Sequence, residues 1–304
     1  MPETVRRSPL PTWLRAPLAI SMAVASTVVH VLPLFVVALF KALLPLRPIR
    51  RGCDRLLARI AASWIDVNTF MVRAMMRTRF VVELPETLRP DGHYLVLANH
   101  QSWTDIPVLQ AIFNRRIPML RFFLKSELFW VPLLGLAWWA LEFPFMKRYS
   151  REKLKRRPEL AGRDIEATRR ACRRFRDQPV SLTNFLEGTR FTPEKHARQA
   201  SPFTHLLKPR AGAMAFVLDV MGDALHSILD VTIAYPEGRP GVGDVLADRI
   251  PEVRVHVREL PIPAELLGGD YESDRAFRAR VHAWLNTLWQ TKDATVTRLL
   301  STRG

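Results

Sequence analysis

The chain has 304 residues, 48% hydrophobic and 24% charged, with two cysteines and a formal net charge of +16. These figures exclude a collagen-like or disordered chain, a disulfide framework and a zinc site built on thiolates. They leave room for one large domain or two modest ones.

So positive a chain calls for anionic partners. Much of the excess falls in residues 147–176, where 13 Lys and Arg stand against only Glu152, Glu159, Asp164 and Glu166. Nucleic acid, anionic lipid headgroups or an acidic carrier protein would suit that tract, and so would a plain solvated helix face.

In chain order, the first feature is a stretch of 25 residues between Arg15 and Lys41 without a formal charge. It exceeds the roughly 20 residues that cross a bilayer core. It is too long for a secretory signal, and no small-residue cleavage site follows it. Pro33 and His30 lie inside it, so a kinked or re-entrant helix competes with a straight span. Lys41, Arg47, Arg50, Arg51, Arg55 and Arg59 outweigh Arg6, Arg7 and Arg15, so a spanning segment would leave the bulk of the protein on the cytoplasmic side. Trp64–Met76, interrupted by Asp66 and Arg73, reads as an amphipathic helix along the interface. Residues 1–80 are thus expected to form a membrane anchor, a hydrophobic helix over 16–44 plus the amphipathic helix, and residues 81–304 an α/β domain.

From Val81 short apolar runs alternate with helical stretches, which predicts an α/β fold. The expected strands are Tyr94–Ala98, Met119–Leu124, Glu142–Met146, Val180–Leu186, Ile228–Ala234 and Val253–Val257. The expected helices are Asp105–Phe113, Glu159–Arg176, Ala211–Val220 and Asp274–Gln290. In the last, Phe277, Val281, Trp284 and Leu288 recur at helical spacing, a core stripe. Cys172 falls on a similar stripe with Phe175 and reads as a buried structural thiol.

The chemistry begins at Asn99-His100-Gln101-Ser102-Trp103-Thr104-Asp105. On a continuous helix His100 and Asp105 would point about 140° apart, so they meet only across a turn. Pro107 supports that turn, because proline is tolerated in a helix's first turn and not in its interior. Asp105 then starts a helix while His100 stays in the loop, the carboxylate orients one imidazole nitrogen, and the other is free to take a proton. No G-x-S-x-G elbow accompanies the pair, and Ser102 is a weak nucleophile candidate. The substrate's own hydroxyl is therefore the expected attacker. By itself the spacing also fits a helix-capping aspartate with a bystander histidine.

A second block, Glu187-Gly188-Thr189-Arg190, ends the strand Val180–Leu186. Gly188 permits a tight turn, and Arg190 offers a planar fork for phosphate oxygens, or else a surface salt bridge. Lys125 falls at another strand end, suited to a second phosphate contact.

With Asn99–Asp105, Lys125–Gly135, Glu187–Arg190 and Val231–Pro236 in this order over roughly residues 85–240, the chain resembles the 1-acylglycerol-3-phosphate O-acyltransferase (lysophosphatidate acyltransferase) family. Phe143–Arg148 and Phe191-Thr192 are similar to its bacterial membrane-bound branch. The resemblance implies a mixed α/β sheet flanked by helices, glycerolphosphate acyltransferase-like, behind an N-terminal membrane-associated helical segment. It implies transfer of an acyl group from a coenzyme A or acyl-carrier-protein thioester to a lysophospholipid acceptor, the free hydroxyl of 1-acylglycerol 3-phosphate giving phosphatidic acid, at an anionic membrane surface, with the bacterial inner membrane as the expected place. His100 would be the base and Asp105 its partner. Lys125 and Arg190 would hold the acceptor's phosphate in a site shaped by Glu187, Gly188 and Thr189. Pro236 would close the acyl side, and Lys208 and Arg210 would add to anion binding. No metal or other cofactor is expected, and no nucleic acid. The rival readings are acylation of another lysophospholipid or of glycerol 3-phosphate, and a basic, membrane-tethered lipid- or nucleic-acid-binding module without catalysis. A metal-dependent hydrolase ranks low, for want of compact ligand spacing among the other histidines.

Overall fold

The computed structural model describes residues 11–44, 46–146, 172 and 175–302. The basic tract and the helix expected at Glu159–Arg176 lie almost wholly outside them; Cys172 and Phe175, both buried in the core, are the exceptions that bear on its stripe.

Two long helices come first, α1 (Thr12–Leu43) and α2 (Arg47–Met75). α1 runs as one helix through Pro17 and Pro33. The amphipathic helix expected from Trp64 begins much earlier, at Arg47, because Cys53, Leu57, Ala61 and Ile65 form a buried stripe of spacing four. The two helices are antiparallel. His30 Nε2 meets Ser63 Oγ at 3.2 Å, Trp64 Nε1 donates to Thr27 Oγ1 at 3.3 Å, and Lys41 Nζ lies 2.5 Å from Asp54. Val31 and Leu34 pack with Leu57 and with Ala137 and Ala140 of α4 (Leu134–Ala140). Lys41 Nζ also pairs with Glu142 at 2.7 Å, which ties the end of α1 to the turn after α4. The outer face of α1, including Val29, Leu32, Val36 and Leu39, is exposed, as are Trp130, Leu133, Leu136 and Trp139 in and before α4.

The remaining strands build a six-stranded mixed sheet. They are β1 (Arg79–Glu83), β2 (His93–Ala98), β3 (Leu120–Phe122), β6 (Val180–Phe185), β7 (Ser227–Ala234) and β8 (Glu252–Leu260), in the order β1-β8-β7-β2-β6-β3. β7, β2, β6 and β3 run parallel, while β8 is antiparallel to β7 and parallel to β1. β4 (Leu124–Lys125) and β5 (Phe145–Met146) form a separate two-stranded ribbon. The single strand expected at Met119–Leu124 is therefore two. The one expected from Glu142 is shortened, because Glu142 has a φ of 61° and turns the chain.

β7 is buried at all eight positions and β2 at five of six, the continuous apolar reading of a strand covered on both faces. Leu95 and Leu97 face a core with α6 (Gly212–Met221) and α8 (Arg275–Ser301). Tyr94, Val96 and Ala98 face α3 (Asp105–Phe113). α8 extends well beyond Gln290, because Val296 and Leu299 continue its buried stripe. The small helices α5 (Pro193–Gln199) and α7 (Val242–Leu246) and three 3-10 turns, at Ser126–Trp130, Phe175–Asp177 and Ala264–Leu266, complete the described elements. Because β7, β2 and β6 are adjacent and parallel, their C-terminal ends open on one edge of the sheet, where open α/β sheets commonly bind ligands.

Candidate active site

β2 ends at Ala98, and the Asn99 side chain clamps it to β7, donating to Ile233 O and accepting from Ile233 N, both at 2.8 Å. His100 then leaves the sheet, and Asp105 is the first residue of α3. His100 Nδ1 and Asp105 Oδ2 are 2.8 Å apart. An ionised carboxylate only accepts, so Nδ1 is the protonated nitrogen. The imidazole stacks on Phe185, 4.0 Å between centroids. Among the described residues Nε2 has no hydrogen-bond partner, so it can take a proton from a group bound beside it.

Asp105 is fully buried and is held by donors on both oxygens. Oδ2 also accepts the backbone N–H groups of Gln101 at 2.7 Å and Ser102 at 2.9 Å. Oδ1 accepts the Tyr235 hydroxyl at 2.7 Å, and that hydroxyl is 2.6 Å from Thr104 Oγ1. Burial first, then the neighbouring Asp105 carboxylate, raises the Tyr235 pKa well above its usual 10, so at neutral pH the phenol keeps its proton and donates.

Glu187 lies beneath the loop. Its carboxyl is wholly buried and accepts the backbone N–H of His100 at 2.8 Å and of Leu207 at 3.1 Å. Burial raises its pKa to about 8, against the lowering effect of those two N–H groups. It thus braces the loop from within and does not line a phosphate site directly. Gly188 turns the chain at a φ of 67°, a conformation that favours glycine, and a Cβ there would meet Arg210 Cδ at 3.1 Å.

Arg190 is half-buried, its guanidinium 3.8 Å from the centroid of the exposed Trp103 ring. Lys195 Nζ fixes the turn by donating to Thr189 Oγ1 at 2.8 Å and to Arg190 O at 2.9 Å. Phe191 N donates to His100 O at 2.8 Å. Arg210 is attached through its backbone N–H to Leu186 O at 2.7 Å, and its side chain passes Gly188. Lys208 is exposed, with its backbone N–H on Gln199 Oε1 at 3.0 Å. Pro236 is half-buried immediately after Tyr235. Lys125 is exposed at the end of β4 and, among the described residues, makes no hydrogen bond or ion pair with the rest of this group. The fold thus brings His100, Asp105, Glu187, Gly188, Thr189, Arg190, Arg210 and Pro236 around one sheet edge, with Lys125 on a separate ribbon.

Sequence reasoning missed three contributors. Tyr235 lies inside a recognised block, but its bond to Asp105 depends on β7 lying beside β2. Arg239 donates through Nε to Gln101 Oε1 and stacks 3.7 Å over Phe191. Lys292 of α8 is fully buried under the strand ends, donating to Val231 O at 2.5 Å and pairing with Asp230, which Arg258 also binds at 2.6 Å.

A family model described as Acyltransferase matches residues 79–236. Lysocardiolipin acyltransferase 1 of Danio rerio is 25% identical over 258 residues, covering 80% of this chain and 62% of that protein. A 1-acyl-sn-glycerol-3-phosphate acyltransferase gamma of Mus musculus is 26% identical over 220 residues, covering 66% of this chain and 52% of that protein. The chain thus spans between half and two thirds of the length of these curated relatives. The crystal structure of the 1-acyl-sn-glycerophosphate (LPA) acyltransferase PlsC from Thermotoga maritima shares the fold, with a TM-score of 0.57 at 18% identity, covering 97% of this chain and all of that one. Because the family model takes in more than half of the 304 residues, the chain belongs to the acyltransferase family.

Proposed function

We propose that the protein transfers a fatty acyl group from an acyl-coenzyme A or acyl-carrier-protein thioester to the free hydroxyl of 1-acylglycerol 3-phosphate, giving phosphatidic acid. The observation that carries this reading is the 2.8 Å contact between His100 Nδ1 and Asp105, which leaves Nε2 unbonded among the described residues. Nε2 removes the proton from the acceptor hydroxyl, and that oxygen attacks the thioester carbonyl. The carbon–sulfur bond breaks, and the departing thiolate takes up the proton that His100 holds. Asp105 supports the transient imidazolium, and holding both substrates together supplies much of the rate. Arg190 receives the acceptor's phosphate. The thioester is a co-substrate, and the reading assigns no step to a metal or organic cofactor.

The same reading places the protein on a membrane. The helix Ala16–Leu43 is long and apolar enough to cross one, with a mean hydropathy of 2.3 and only 17% of its most apolar window buried. α2, antiparallel beside it, exposes Arg51, Arg55 and Arg59 at spacings of four. A charged partner along its length favours a hairpin lying in one leaflet over a lone span, with those arginines at the headgroups. The exposed Trp130 and Trp139 suit the same interface.

Purified protein in mixed micelles, given an acyl-coenzyme A and a panel of lysophospholipids, tests the function. Phosphatidic acid formed from lysophosphatidate is the expected product. Transfer to lysocardiolipin or another diester in preference to lysophosphatidate would reassign the acceptor.

A further inference from the structure

We propose that Arg239 is the second cation of the acceptor's phosphate site and that, with Arg190, it selects an acceptor bearing a phosphate monoester. This rests on the acyltransferase reading of the site and narrows its substrate class.

Arg239 lies on the loop that follows β7, and three contacts fix it, one of them to Gln101, the residue after His100. Its Nε donates to Gln101 Oε1, and its Nη2 reaches His205 O at 3.5 Å. The guanidinium lies 3.7 Å over the Phe191 ring. At the next residue, Ser102 Oγ donates to Pro240 O at 2.5 Å, pinning the loop to the one that carries the histidine. Gln101 and Ser102 are the two residues whose backbone N–H groups hold Asp105. Arg239 is therefore anchored one side chain from the proposed reacting pair.

Its charge has no partner to explain it. Among the described residues neither Arg190 nor Arg239 forms an ion pair. The carboxyl that Arg239 senses is Glu187, which is buried and bonded to two backbone N–H groups. Both guanidiniums lie over aromatic rings, Trp103 and Phe191. Stacking covers the face of a guanidinium and leaves N–H edges for oxygens: those of Arg190, and in Arg239 the end formed by Nη1 and the second N–H of Nη2, since Nε is on Gln101 and Nη2 reaches His205 O. Two such forks, on the loops after β6 and β7, border residues 100–103.

Reach decides which substrate they meet. In lysophosphatidate the reacting hydroxyl and the phosphate are separated by two carbons and one oxygen, so a hydroxyl at His100 keeps its phosphate near this loop. The phosphates of a thioester donor lie at the far end of the pantetheine arm. A phosphate monoester has a second ionisation near pH 6 and carries a charge of about −1.5 to −2 at neutral pH, matching two guanidiniums. A diester carries a single charge and leaves one of them unmatched.

The test is Arg239→Gln in the full chain, with Arg239→Lys and thermal melting as controls for folding. Transfer is measured to lysophosphatidate and to lysophosphatidylglycerol, and equilibrium binding of each lipid is measured in the same micelles without donor. Arg239→Gln should lower kcat/KM for lysophosphatidate tenfold or more and that for the diester severalfold less, leaving the KM for acyl-coenzyme A unchanged. The wild-type preference for lysophosphatidate binding should strengthen as pH rises through about 6, and the variant should lose that rise. Equal losses for both lipids, an effect on the donor KM alone, or no effect would each overturn the proposal. If the wild type transfers to neither lipid but the variant binds lysophosphatidate selectively less well, the acyltransferase reading fails and the Arg239 assignment stands.

Discussion

The Tyr235 hydroxyl lies 2.7 Å from Asp105 Oδ1, on the carboxylate oxygen that His100 does not use. Strand β7 thereby holds the acid that orients the histidine of β2's loop. Tyr235→Phe removes this donor while keeping the ring in its buried site. A hydrogen bond to a charged group contributes about 1.5–3 kcal/mol, so kcat should fall roughly ten- to a hundredfold if the bond matters chiefly in the transition state. KM for both substrates should stay within twofold. Steady-state kinetics on the folded variant check this, and an unchanged kcat would remove Tyr235 from the account.

Glu187 links acidity to stability. Its folded pKa is raised to about 8 from 4.5, chiefly by burial. Between those values the folded protein holds a proton that the unfolded chain has released, so this group's contribution to stability falls as pH rises from about 4.5 to 8. Glu187→Gln cannot titrate and should lack that decline, whatever its effect on absolute stability. Denaturant unfolding of both proteins at several pH values measures the difference in slope; parallel curves would contradict it.

Lys292 is the buried counterpart on the other side of the strand ends. It bonds Val231 O and pairs with Asp230 with no exposure of its side chain. Lys292→Met keeps the volume but leaves those acceptors short of a donor, although Arg258 still binds Asp230 at 2.6 Å. Removing one partner of a buried pair costs about 3–5 kcal/mol, and the remaining arginine should hold the loss near the lower figure. Chemical denaturation provides the number, and a neutral result would mean that the pair contributes no net stability.

Much of this architecture is written in local pattern. β2 and β7 read as strands because both faces are covered, making their runs almost continuously apolar. The turn between His100 and Asp105 was readable from Pro107, since the proline fixes where α3 can begin. β1 escaped because it is an edge strand with three apolar residues between Arg79 and Glu83. The first half of α2 was obscured by its arginines, although Cys53, Leu57, Ala61 and Ile65 carry a helical period. Tyr235 and Arg239 belong to the site only because the sheet sets β7 against β2, a long-range pairing that no local spacing encodes. Glu187 was legible as part of a motif but not as an inward-facing brace, since its burial depends on the loop at Leu207 closing over it.

The most direct measurement is acyl transfer from an acyl-coenzyme A to lysophosphatidate by the wild-type protein and by His100→Ala, each shown to be folded by its melting transition. Loss of at least a thousandfold in turnover, with lysophosphatidate binding retained, is the predicted result. Turnover within tenfold of wild type in a folded His100→Ala protein would contradict the assignment of His100 as the base.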